Sequence, residues 1–266
     1  MRISINSQPS GFTSRFKSLR YPLMYVFFLM LAELVTCYFI HAGVLVHLFI
    51  LGALLVHSVF LDDKPVSDLL TALAIAPLIR ILGLSTPLMH FSQITWFAIV
   101  SVPMFITGIT IARLQGLSAK QLYLTAPKKR YFPLEALVIA ICFPVGLLEY
   151  YLLKPSPLAD FSLQAILAPS LIFLINTGFL EEFIFRGLLQ HHAERLAGFR
   201  GIVLISALFG ILHITNLVFW DAVLAGGVGL MFALVVRKTG SLWGVSMAHG
   251  VVNITLFLIA PHLFSW

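Results

Sequence analysis

Charge is what this sequence lacks most: 11% of its 266 residues are Asp, Glu, Lys or Arg, well under the quarter typical of soluble domains. With 59% hydrophobic residues and a mean hydropathy of +0.98, a water-exposed surface cannot be assembled from what remains, so the bilayer must be the solvent. Polar stretches long enough for a separate soluble domain are missing too. There are two cysteines, Cys37 and Cys142, both inside apolar runs, which excludes a disulfide framework and suits small buried side chains. The net charge of +6 comes without a patch of interleaved basic and aromatic residues, which argues against nucleic acid as a partner. No internal repeat is apparent, so the sequence gives little support to a transporter built from inverted halves.

What is present is a succession of apolar runs of spanning length. They fall at 21–40, 43–61, 69–85, 94–112, 134–153, 165–190, 201–219, 222–236 and 242–262. The third is the weakest, being short and containing Pro77 and Arg80. The expectation is an all-α polytopic transmembrane bundle of eight or nine spans. Residues 1–20, polar and basic, read as a cytoplasmic tail; they also resemble an organelle transit peptide in composition. With nine spans and the N-terminus inside, the tail cations and those at Lys64, Arg113, Lys120, Lys128–Arg130, Arg195, Arg200, Arg237 and Lys238 lie inside, and Lys154 alone lies outside. That is the positive-inside pattern. The long polar connection 113–133 divides N-terminal accessory helices, 21–133, from a C-terminal bundle, 134–266. The expected localisation is an integral membrane site, a bacterial plasma membrane first and an organelle membrane second.

Against this background the stretch "GFLEEFIFRGLLQ", 178–190, stands out. Glu182 and Arg186 are four apart and face one side of a helix, while Glu181 points about 100° away. The next span carries His213 one turn after Phe209, and the last carries His249 one turn before Asn253. At 1.5 Å per residue from the expected cytoplasmic helix ends, Glu181 lies ~14 Å deep, His249 ~12 Å, and His213 and Asn253 ~18 Å. Taken singly, the acidic pair reads as an interfacial turn facing cytoplasm, and each histidine and Asn253 as a helix-packing hydrogen bonder. Costly groups brought to one depth instead suggest a shared site.

The ordered set Glu181-Glu182-x-x-x-Arg186, Phe209-x-x-x-His213 and His249-x-x-x-Asn253 resembles the three motifs of the CAAX protease and bacteriocin-processing (CPBP, or Abi) family, over about 165–262. The resemblance implies a glutamate intramembrane protease acting on a membrane-associated peptide or protein, with no metal and no cofactor. By position, Glu181 would activate the hydrolytic water, His213 would hold and polarise it, and His249 with Asn253 would stabilise the oxyanion. Glu182, Arg186 and Phe209 would support them. Donors aimed at a developing oxyanion gain strength where water is scarce.

Other readings compete. Zinc accepts Glu181, His213 and His249 as ligands, although the familiar His-Glu-x-x-His helix is missing. A non-catalytic scaffold or immunity protein, or a proton-coupled carrier, would also keep buried polar groups. Elsewhere, Glu33 and Arg80 are expected to form at most a structural pair. Glu135 and Glu149 read as exposed near span ends, His191 and His192 as part of a cytoplasmic turn, and the glycines of 224–233 as packing contacts.

Overall fold

The computed structural model describes residues 12–86 and 91–264. The first eleven residues of the expected tail, Arg2 among them, lie outside the described residues. Every regular element among the described residues is helical, and nine helical runs are long and apolar enough to cross a membrane. We number them α1 (Phe12–Tyr38), α2 (Ile40–Phe60), α3 (Lys64–Leu73), α4 (Ile75–Ser85), α5 (Gln93–Leu114), α6 (Phe132–Leu153), α7 (Leu163–Ala197), α8 (Phe199–Ile211), α9 (Phe219–Thr239) and α10 (Trp243–Leu263). The pair α3 and α4, bent at Ala74, makes one span.

Local chemistry sets the boundaries. Asp63, Ser92 and Ser162 each accept a hydrogen bond from a backbone N–H of the first turn of α3, α5 and α7, meeting donors that have no partner within the helix. Large apolar side chains face outward, Phe49 at 77% exposure and Phe60 at 80%, as lipid contact requires. Polar groups turn inward: Glu33, His47, Glu182, Arg186 and Asp221 are buried. One continuous apolar core runs from Leu19 of α1 to Val252 of α10, so the N-terminal and C-terminal helices share an interior.

Helix α1 begins at Phe12 and its spanning part at Leu19. Three expectations need correction. The sixth span continues to Ala197, with its turn at Gly198, so His191 and His192 are buried helix residues, and the His192 ring bonds Gln115 Oε1 at 2.8 Å. Glu135 is buried against Gly244. Finally, α8 stops at Ile211 and the chain crosses a short 3₁₀ turn, 214–216, before α9, so His213 sits on a break rather than in mid-helix. Asn216 donates to Asp221 Oδ2 at 2.8 Å across that break, the kind of side-chain bond that competes with helix continuation.

The position of the acidic pair follows from close packing. Helix α7 is π-helical at Phe173–Phe179 and again at Phe183–Leu189, with Leu180–Glu182 between them. Such turns displace side chains from the ordinary helical faces and are frequent at functional sites. There α7 lies directly on α10: a Cβ on Gly178 would stand 2.6 Å from Ser246 O and 2.9 Å from Gly250 N. Only glycine permits that approach, which carries the acidic pair to the His249 helix.

Candidate active site

Glu182 is fully buried and holds two partners. Its Oε1 accepts from Arg186 Nη1 at 3.1 Å and pairs with His249 Nδ1 at 2.8 Å. Since the carboxylate accepts from the ring, Nδ1 of His249 carries a proton and Nε2 is the free end. That end lies 3.8 Å from Glu181 Oε2, within ion-pair range once the ring is protonated on both nitrogens. Glu182, His249 and Glu181 therefore form a relay from the buried interior to the cavity wall. Arg186 balances the buried carboxylate, and its guanidinium lies 4.5 Å over the Phe209 ring, a cation–π contact in a site that offers it no water. Phe209 also meets both the His213 and His249 rings.

On the other side, His213 Nδ1 is 2.9 Å from Phe209 O. A carbonyl only accepts, so Nδ1 is the protonated nitrogen here too, leaving Nε2 available. Asn253 donates through Nδ2 to Thr177 Oγ1 at 2.8 Å.

The four residues are brought together, but around two adjoining cavities rather than one. The larger, about 280 Å³, is lined by Glu181, His213, Asn176, Arg80, Trp96 and Phe97 among others. The smaller, about 40 Å³, is lined by His213, His249, Asn253, Phe209 and Glu149. His213 and Phe209 face both. A cavity of 40 Å³ with polar walls has room for water.

Two residues of these walls escape a motif-based reading. Glu149, expected at an exposed helix end, lines the smaller cavity. Its signal was available in the period of α6, where Glu135, Val138, Cys142, Gly146 and Tyr150 mark the buried face and Glu149 stands one turn after Gly146. Arg80 lines the larger cavity from α4, although no periodicity in its own span connects it to residues more than a hundred positions away. Among the described residues no three His, Cys, Asp or Glu side chains are grouped to hold a metal ion.

Fold and site together define a polytopic helical membrane protein with a buried carboxylate–imidazole cluster opening onto an internal cavity. Residues 163–255 match the family model described as type II CAAX prenyl endopeptidase Rce1-like, a segment that holds all three motifs and none of α1–α6. That segment is similar to the CAAX prenyl endopeptidases the model describes, which suggests an intramembrane endopeptidase. No curated protein and no solved structure matches the chain.

Proposed function

We propose that the protein is a metal-independent, glutamate-type intramembrane endopeptidase. The observation that carries this reading is the relay in which Glu182 fixes His249 and His249 turns Nε2 toward Glu181, with Glu181 on the wall of a cavity it shares with His213. In the proposed reaction a water between Glu181 and His213 loses a proton to the Glu181 carboxylate as its oxygen adds to the peptide carbonyl carbon. The C–N bond then breaks, and the proton held by Glu181 passes to the leaving amine, so that one water is consumed and an acid and an amine are released. His249, once its Nε2 also carries a proton, donates to the oxyanion together with the Asn253 amide. For that last step Asn253 must exchange its bond to Thr177 for the substrate, a rotation of one side chain. Glu182, Arg186 and Phe209 hold these groups in place.

The same reading puts the catalytic bundle at 134–266, an accessory helical set at 21–133, the N-terminus in the cytoplasm and the protein in a bacterial plasma membrane. The experiment uses the full chain in proteoliposomes with three probes: a farnesylated peptide ending in a CAAX sequence, its unmodified counterpart and a leader peptide. Products are identified by mass spectrometry. Wild type cleaves at least one probe, with or without a chelator. Glu181→Gln and His213→Ala cleave none, and Val59→Ala on the exposed face of α2 behaves as wild type. Cleavage by Glu181→Gln would overturn the assignment, and chelator-sensitive cleavage restored by zinc would replace it with a metal mechanism.

A further inference from the structure

The break that carries His213 is held from outside the C-terminal helices. Leu212 follows the last residue of α8, and its carbonyl is one of those at a helix C-terminus for which the helix itself supplies no donor. In an apolar interior that group needs a partner. The partner is Arg80 of α4, whose Nη2 donates to Leu212 O at 2.7 Å. A cation at this position also meets the negative end of the helix dipole.

Arg80 is itself fixed. Glu33 of α1, fully buried, accepts a hydrogen bond from Arg80 Nε on Oε1 at 3.1 Å, and its Oε2 lies 2.9 Å from Nη2 as an ion pair. The charge-assisted bond on Nε and the bond from Nη2 to Leu212 O together orient the guanidinium, and the Glu33 carboxylate neutralises it. Two residues beyond Leu212, the carbonyl of Ile214 faces Cys37 Sγ of α1 at 3.7 Å. The backbone on both sides of His213 is thus clamped by α1 and α4, and Arg80 lines the same cavity as Glu181 and His213.

We infer that Arg80 is a positioning residue of the active site: oriented by Glu33, it holds the end of α8 so that His213 faces Glu181. The N-terminal helices are then a required part of the catalytic centre, although the match to the protease family starts only at residue 163. The inference rests on the proposed protease reading for its kinetic arm and on geometry alone for its spectroscopic arm. Glu33 does not line the cavity, so it does not touch substrate there; besides Arg80 it faces the buried His47 at 3.7 Å. Substitution of Glu33 separates positioning from direct contact with substrate.

The test compares wild type with Arg80→Met, Arg80→Lys, Glu33→Gln and the double variant Glu33→Gln/Arg80→Met. The double variant leaves no unpaired ion in the interior and guards against simple misfolding. In proteoliposomes with the peptide that wild type cleaves, kcat falls about 10²-fold in Arg80→Met and in the double variant, the loss expected for a displacement near 1 Å. Arg80→Lys restores part of it, and KM in Glu33→Gln stays within about threefold of wild type. In parallel, ¹⁵N-histidine spectra follow His213, assigned through His213→Gln. Wild type shows Nδ1 protonated, and in Arg80→Met and the double variant the signal shifts and broadens as the ring exchanges tautomers. Wild-type kcat in the folded double variant overturns the inference, as does a loss confined to KM or an unmoved His213 spectrum. Should wild type cleave no probe, the protease reading fails and the spectra alone decide the positioning role.

Discussion

Removing the charge of Glu182 while keeping its shape, as Glu182→Gln does, strips the buried Arg186 guanidinium of its counterion and His249 of its carboxylate acceptor at one stroke. Arg186 is 2% exposed and Glu182 0%, so water cannot take over. Breaking such a pair by losing one partner destabilises by about 3–5 kcal/mol, whereas replacing both with apolar residues of similar size is close to neutral. We therefore expect Glu182→Gln to unfold about 3–5 kcal/mol more easily and the double variant Glu182→Leu/Arg186→Met to recover most of that loss. The assay is reversible unfolding by SDS in mixed micelles, with helicity as the signal. Activity separates from stability here. The recovered double variant still lacks the acceptor for His249 Nδ1, and its cleavage rate remains down by about 10²-fold or more, as when an orienting carboxylate is removed from a catalytic histidine. A Glu182→Gln variant as stable as wild type refutes the buried-pair argument, and a double variant that cleaves normally refutes the relay through His249.

Two further outcomes follow from the packing and from the smaller cavity. Gly178→Ala puts a methyl group against the backbone of Ser246 and Gly250, which cannot rotate away, and lowers stability in the same SDS titration by about 1–3 kcal/mol; Gly52→Ala, whose Cβ meets nothing within 4 Å, is the reference for the same change without a clash and is not destabilised. Glu149→Gln removes a carboxylate from the wall shared with His249 and Asn253 and slows cleavage about tenfold, the scale of one hydrogen bond to a charged group, in initial-rate assays where Val59→Ala is unchanged.

Much of the site was legible in the linear chain, and the residues that were not have a common cause. Helical period placed Glu182 beside Arg186 and Phe209 beside His213, and both pairs meet, at 3.1 Å through the side chains and at 2.9 Å through the Phe209 carbonyl. Depth counted along separate spans put His249 near the acidic pair, and it lies within reach of both glutamates. The same counting failed wherever a helix did not end at a change of polarity. Helix α7 passes through His191 and His192 because their polar rings are sheltered within the protein, His192 by Gln115 of α5, and α8 stops before its apolar residues run out, at a Leu212 carbonyl that Arg80 of α4 takes up.

What the sequence determines by itself is the solvent, the helical class and which polar groups sit within apolar spans, because hydropathy and helical period are properties of neighbours along the chain. What the tertiary structure alone decides is which polar groups satisfy one another: Glu182 with His249, Asn253 with Thr177, Arg80 with the end of α8, and Glu149 with the smaller cavity. Those partnerships join helices whose separation in sequence carries no periodic signal, and away from water a buried polar group is stabilised by the partner that packing brings to it.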